Sequence, residues 1–253
     1  MTLPSPFKLA TWNVNGLRAR AAQLAEWLDL EQPDVVCLQE IRVTLEQVPA
    51  DLWARPGYSC YWHGGGKGYS GTAILVADRL GKPTISHPDF DFESRVVEAQ
   101  LGDHHFLSVY VPNGGKDFAA KLRFWEAMEA HLQGLADQGK SVLLAGDLNI
   151  TRSDMDLHPK ERKPNAIGQL PQERELFERL LGRGYVDVQR ALHPDDADIF
   201  SWWAPWRQMR QRNIGWRIDY LLASRDLAAR AVSCVSQRET GTSDHAPVVG
   251  VFA

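Results

Sequence analysis

The sequence predicts one α/β domain spanning residues 1–253, and three observations lead there. Strand-like apolar runs alternate with amphipathic helical stretches from end to end. No Gly/Ser linker, low-complexity segment or short-period repeat divides the chain. At 253 residues, 44% hydrophobic and 24% charged, the chain can bury a large core and has the composition of a globular protein.

The elements follow in order. "FKLATWNV" (7–14) reads as a first strand, and Leu17, Ala21, Leu24 and Leu28 then recur at helical spacing. "DVVCLQE" (34–40), "GTAILVAD" (71–78) and "HFLSVYVP" (105–112) read as strands. Leu122, Trp125, Met128, Leu132 and Leu135 make a second amphipathic helix, followed by the strand "SVLLAGD" (141–147). "PQERELFERLLGRG" places Pro171 in a first helical turn and Gly182 and Gly184 at its end. "RIDYLLA" (217–223) and "PVVGVFA" (247–253) are the last strands. "HPDFDFESR" and "DMDLHPKERKPNAIG" lack periodicity and read as long functional loops.

The formal net charge of −4 is wrong for a protein that coats nucleic acid nonspecifically. A polyanion could bind only through a local basic face or through metal ions. Cys37, Cys60 and Cys234 match no zinc or redox spacing and read as reduced thiols. The opening "MTLPSPFKLATW" lacks the apolar core of a signal peptide. No apolar run approaches the roughly 18 residues that span a bilayer. A soluble, cytoplasmic protein without a membrane partner is expected, and nothing signals a dimer.

The chemistry-bearing residues cluster where apolar runs stop. Asn13 and Asn15 end the first run, Glu40 the second, and Asp147 and Asn149 follow "SVLLAG". Asp219 interrupts another run, and Asp244-His245 precede the last. Residues two apart on a strand share a face, so Asn13 with Asn15, and Asp147 with Asn149, are expected to project together. Any one of these fits a simple turn. Carboxylate and amide oxygens together suit Mg2+ or Mn2+ rather than zinc. The set fits metal-assisted hydrolysis of a phosphoester, in which a carboxylate handles the water and amide and imidazole donors hold the phosphate. A carboxylate beside the histidine would favour its protonated form.

"WNVNGLRA", "LQE", "YSG", "YVPNGG", "GDLN", "PQERE", "GWRIDYLL" and "SDHAP" occur in order across residues 12–247. Together they resemble the exonuclease III-type apurinic/apyrimidinic (AP) endonucleases of the endonuclease/exonuclease/phosphatase superfamily. The resemblance implies a four-layer sandwich of two packed mixed β-sheets with helices on both outer faces. It implies that Glu40 and Asn15 hold Mg2+, for which Mn2+ can substitute, with Asp244 nearby and Asp147, Asn149 and His245 completing the set. In the chemistry it implies, Asp147 handles the water, Asn149 supports the transition state, and His245, oriented by Asp219, contacts the phosphate together with Tyr110. The implied activity is incision of double-stranded DNA 5′ to abasic sites, with trimming of 3′-blocked ends, by a monomer.

Residues 202–217, "WWAPWRQMRQRNIGWR", interleave Trp202, Trp203, Trp206 and Trp216 with Arg207, Arg210, Arg212 and Arg217. Arginine beside aromatic residues fits a nucleic-acid surface, with Arg207 and Arg210 as phosphate contacts; the same pattern also fits core tryptophans with solvated arginines. By resemblance, Trp202, Trp216 and Ile218 line a pocket for a flipped-out abasic sugar. Arg18, Tyr69, Asn113 and Asn165 contact DNA, and Lys116 reaches toward the minor groove. Glu161-Arg162-Lys163-Pro164 before Asn165, and Arg42 after "LQEI", depart from the usual family pattern. Two other readings remain open: a phosphoesterase acting on RNA or lipid, and a non-catalytic nucleic-acid-binding regulator of the same fold.

Overall fold

Most of the long strands are apolar on both faces, a pattern that only a sheet covered on both sides can satisfy. The computed structural model describes residues 2–253. In chain order the elements are β1 (Phe7–Asn13), α1 (Leu17–Glu31), β2 (Val35–Gln39), α2 (Ala50–Trp53), β3 (Tyr58–His63), β4 (Thr72–Ala77), β5 (Thr84–Ser86), β6 (Val96–Leu101), β7 (His104–Tyr110), α3 (Phe118–Asp137), β8 (Ser141–Asp147), α4 (Pro171–Gly182), β9 (Tyr185–Asp187), α5 (Val188–Leu192), β10 (Asp219–Ser224), α6 (Arg225–Ala228), β11 (Ala231–Ser236) and β12 (Val248–Phe252). They build two mixed six-stranded sheets, ordered β11-β12-β1-β2-β4-β3 and β5-β6-β7-β8-β10-β9.

Alternation along each strand divides the core into layers. On β1, Phe7 and Leu9 face the second sheet, while Ala10 and Trp12 face α1. On β8, Leu143 and Ala145 face the first sheet, while Val142 and Leu144 face α3 and α4. Leu17, Leu24, Trp27 and Leu28 of α1 and Leu52 of α2 cover the first sheet. Trp125, Met128 and Leu132 of α3 and Phe177 and Leu180 of α4 cover the second. This is the four-layer arrangement expected from the sequence motifs. Each fully buried Leu or Phe contributes about 1.5–3 kcal/mol of transfer free energy, so the layers rather than local propensity hold the strands in place.

Local signals fix the helix ends. Gly16, at φ 100°, turns the chain into α1. The Asp117 carboxylate accepts the Ala120 N–H at 2.8 Å and caps α3. Pro171 opens α4, and Glu173 accepts the N–H groups of Gly168 (2.6 Å) and Leu170 (3.0 Å). All seven strand runs read from the sequence are strands. β10 starts at Asp219 rather than at 217 because the N–H groups of Arg217 and Ile218 go to the Asp156 carbonyl and the Ser201 hydroxyl instead of to a neighbouring strand. β3, β5, β6, β9 and β11 were not read. β5 and β9 are three residues long, and β6 carries a buried Glu98 that breaks its apolar run.

Two buried ion clusters tie the loops to this frame. Arg217 is fully buried and bonds Asp156 at 2.7 Å and Asp187 at 2.9 and 2.7 Å. Lys121, also fully buried, meets Glu173 at 2.6 Å. Removing one member of such a cluster leaves uncompensated buried charge, which costs about 3–5 kcal/mol. Arg217→Met is therefore expected to lower stability by about that amount. The check is a urea titration of mutant and parent, and an unchanged midpoint would show that the cluster carries no stability.

Candidate active site

Two similar turns face each other at one end of the sandwich. β1 ends at Asn13 and β8 at Asp147, both buried. In each case the next residue, Val14 or Leu148, is buried, and the one after is an asparagine in the left-handed region, Asn15 at φ 45° and Asn149 at φ 52°. The Asn15 N–H donates to Asn13 Oδ1 at 3.0 Å, and the Asn149 N–H to Asp147 Oδ1 at 2.9 Å. Strand alternation was expected to align these pairs. The strand stops first, and a side-chain-closed turn does it instead; Asn is among the few residues that enter this region readily. The Asn13 amide donates across the sheets to Asp147 Oδ2 at 2.9 Å. Glu40 follows β2 at φ 51°, and its carbonyl accepts the Gly16 N–H at 2.8 Å, fixing it beside Asn15.

Strand register assembles the charged centre. Tyr110 and Asp219 flank Asp147 on β7 and β10 as direct partners. His245, just before β12, places Nδ1 2.9 Å from Asp219 Oδ2 and Nε2 3.9 Å from Asp147 Oδ2. Burial opposes charge on this imidazole, but Asp219, then Asp147 and Asp244, outweigh it and raise its pKa well above the usual histidine value. Burial pushes the Asp147 carboxyl up, with Asp219 and Glu40 adding to the rise and His245 opposing it. Burial, then Glu40 and Asp147, hold Tyr110 as a neutral phenol, and its hydroxyl donates to Glu40 Oε1. Asp219 Oδ1 is buried with no hydrogen-bond partner.

The donor set suits a hard cation. Asp147, Asp219 and His245 offer atoms all within 4.8 Å of one another, a spacing that can hold a metal ion only when the imidazole gives up the proton that its neighbours favour. Further out, Glu40, Asn15 and Asp244 add carboxylate and amide oxygens. Asn15 Nδ2 donates to Asp244 Oδ1 at 2.6 Å, and Trp202 Nε1 donates to Asp244 Oδ2 at 3.0 Å, which leaves the Asn15 carbonyl oxygen for other work. Arg42 pairs with Glu40 at 2.5 Å.

A cavity of about 300 Å³ opens over this centre. Trp202, Trp216 and Ile218 form its apolar side, and Asn113, Asn149 and His245 part of its polar side. The Trp202 and Trp216 rings meet edge-to-face at 5.6 Å. Tyr69 and Lys116 lie together beyond it, the ammonium 5.1 Å over the ring. Arg18, Asn165 and Arg207 are exposed, Arg207 along a neighbouring cleft with Arg20 and Trp206.

The tryptophan/arginine stretch divides in two. Arg210 does not reach out as expected: its guanidinium bonds the carbonyls of Arg238 (2.6 Å), Thr240 (2.8 Å) and Ser243 and covers Trp203 at 5.1 Å. It braces the loop that carries Asp244 and His245, because three carbonyls there have no strand partner. Trp203 and Arg217 are likewise interior. Sequence reasoning also missed Lys121, whose ammonium donates to the Asn149 carbonyl at 2.7 Å and supports its left-handed turn. Its signal was present: a lone lysine four residues before Trp125 on the apolar face of α3.

Residues 10–245 match the endonuclease/exonuclease/phosphatase family. The chain belongs to that family. It is 37% identical over 250 residues to an exodeoxyribonuclease of Bacillus subtilis, covering 95% of this chain and 97% of that one. It is 36% identical over 251 residues to the DNA repair nuclease APEX1 of Danio rerio, covering 95% and 80%. It also matches Recombination repair protein 1 of Drosophila melanogaster at 34% over 252 residues, 97% of this chain but 37% of that longer protein. Among solved structures it is similar to an AP endonuclease from Archaeoglobus fulgidus (TM-score 0.87, 31% identity, 97% and 99% covered). It is similar too to a Neisseria 3′ phosphatase bound to a product DNA hairpin (TM-score 0.89, 30% identity, 98% and 99% covered). The kinship with exonuclease III-type AP endonucleases holds, and the protein is a hydrolase of this nuclease family.

The two shifted groups set opposite limbs of a pH profile, and as neighbours they titrate as a pair. As a general base Asp147 would have to be ionised, so activity should then fall as pH drops through its raised pKa. As a donor to phosphate His245 would have to be protonated, so activity should then fall at alkaline pH. Asp219→Asn removes the charge that holds the imidazole pKa up, so the alkaline limb should move toward neutral pH. Profiles of kcat/KM for the two proteins give the comparison; a fixed alkaline limb would remove His245 from that limb.

Proposed function

We propose that this protein is a metal-dependent phosphodiesterase of base-excision DNA repair that cuts 5′ to abasic sites and trims blocked 3′ ends. The observation that carries this reading is the His245–Asp219 pair set against Asp147 beneath a cavity with an aromatic side. The names of the relatives support DNA as the substrate: a DNA repair nuclease, an exodeoxyribonuclease and a 3′ phosphatase bound to a DNA hairpin.

Each residue then has a task. Asp147, buried and raised in pKa, accepts the proton of the attacking water. The His245 imidazolium holds a non-bridging oxygen of the scissile phosphate, and Asp219 keeps it charged and oriented. Tyr110, kept neutral, donates at the same phosphate. Asn149 supports the developing charge from its braced turn. Glu40 and Asn15, with Asp244 beside them, would hold Mg2+, and Mn2+ would substitute. Such an ion supplies charge neutralisation at the phosphate. Trp202, Trp216 and Ile218 admit a sugar without a base and exclude a full nucleotide, and extruding a base-free sugar breaks no base pair.

Double-stranded DNA would lie along Arg18, Tyr69, Asn113, Lys116, Asn165 and Arg207, so binding is local despite the net charge of −4. Residues 1–253 act as one catalytic domain, as a monomer in the cytoplasm. Among the described residues no helix is long and apolar enough to cross a membrane. A regulator of this fold would have no need for the His245–Asp219 pair.

Purified protein with Mg2+ should incise a duplex bearing one abasic site, and EDTA should abolish this. Asp147→Asn should lower turnover by ~10²–10⁴ with binding retained. Full incision in excess EDTA would sink the metal assignment, and near-normal turnover of the mutant would sink the base. Trp202→Ala should erode the preference for abasic over intact DNA. Unfolding and both activities measured on one preparation separate this from simple destabilisation. A mutant that melts early, with both activities falling in parallel, would return Trp202 to the core.

A further inference from the structure

A second group of potential metal ligands lies outside the active site. His63 ends β3, the edge strand of the first sheet, and His87 follows β5, the edge strand of the second. Asp91 lies in the loop that leads into β6. One ligand atom from each falls within 4.8 Å of the other two. His63 Nε2 lies 2.6 Å from Asp91 Oδ2, and the two imidazoles stack at 4.0 Å between centroids.

We propose that His63, His87 and Asp91 form a binding site for a borderline divalent cation of the zinc class, clamping the two sheet edges together. The hydrogen bonds around the group fix its ligand atoms. His87 Nδ1 faces the Val96 carbonyl at 3.0 Å and must donate to it, so in the neutral ring the Nε2 lone pair is free to ligate. A backbone carbonyl on the second ring nitrogen is the usual support of a metal-bound histidine. Asp91 Oδ1 accepts the N–H groups of Arg95 (2.7 Å) and Val96 (2.9 Å), which orients the carboxylate and leaves Oδ2 for the ion. His87 is exposed, so the ion can enter from solvent.

Imidazole nitrogens select against Mg2+ and for zinc-class ions. Bonds of roughly 2.0–2.1 Å in a tetrahedral site hold ligand atoms about 3.4 Å apart. The His63–Asp91 contact would open by less than an ångström to admit the ion, and solvent would fill the fourth position. The site would also reach the cavity mouth indirectly. Arg95, whose N–H is bound by Asp91, stacks its guanidinium 4.7 Å from the Tyr110 ring and donates to Tyr69 Oη at 2.9 Å. An ion on Asp91 would fix the turn from which Arg95 extends.

The test is Zn2+ titration of metal-stripped protein in saturating Mg2+, read by calorimetry and by thermal unfolding. Co2+ serves as a parallel probe with a visible spectrum. Expected is a Zn2+ equivalent that raises the melting temperature and is lost in His87→Ala, with its affinity reduced by at least the ~10–100-fold that loss of a mere supporting contact costs. His87 is exposed, so that variant should fold, and His63→Gln gives a second reading. An active-site variant, Asp147→Asn, should keep this equivalent. If His87→Ala binds as many Zn2+ ions as the parent with the same thermal shift, or if the parent binds none, the site is refuted.

Discussion

Asp147, Asp219 and His245 are all buried, and the arrangement around them makes that tolerable. An isolated buried carboxylate is driven to neutralise. Here two carboxylates share one imidazole, and the balance leaves Asp147 raised and His245 held charged. The hydrogen bond from the Asn13 amide to Asp147 reaches this centre from the opposite sheet. It makes the charged centre depend on the packing of the two sheets: a shift of one against the other would separate donor from acceptor. The central apolar layer, with Phe7, Leu9, Val35, Phe106, Leu143 and Leu221, resists that shift.

The two halves of the molecule use the same device for different ends. β1 and β8 each run parallel to one neighbour and antiparallel to another, and each ends in a polar residue closed by an asparagine two positions on. On β1 both polar residues are amides, so that turn adds no charge. On β8 the first is Asp147, and the charge gathers there. The turns stay fixed because their flanks are fixed. Val14 and Leu148 are buried, Glu40 is tied through its carbonyl, and the Lys121 ammonium holds the Asn149 carbonyl. Left-handed residues other than glycine persist only where the surroundings determine them.

The tryptophan-rich stretch shows how one composition divides in space. Trp203 joins Phe200, Met209 and Ile214 in a small apolar cluster. Arg210 and Arg217 spend their charge on loop carbonyls and on buried aspartates. Trp202, Trp216 and Ile218 remain to line the cavity, and Arg207 remains in solvent. Arg210 therefore works at one remove, by holding the loop on which Asp244 and His245 sit, while Arg217 ties Asp156 to Asp187.

Much of this was legible in the sequence. Uninterrupted apolar runs specify strands covered on both faces, and periodic leucines specify the covering helices, because a hydrophobic pattern records which side of an element meets water. Motifs such as "GDLN" and "SDHAP" pointed to candidate site residues only as an ordered set that resembles the AP endonucleases, since any one polar side chain at the end of an apolar run also fits a turn. What the sequence left open were facts of distance. Arginine 210 and arginine 207 look alike in one dimension, and only the position of the 238–243 carbonyls decides that one is braced and the other free. Lys121 took on a role only where Glu173 and the Asn149 turn meet it from elsewhere in the chain. His63, His87 and Asp91 carry no motif, and they meet because the edges of two sheets meet. Sequence records what each residue can do with water and with its near neighbours, whereas contacts between residues far apart in the chain exist only once the two sheets have packed.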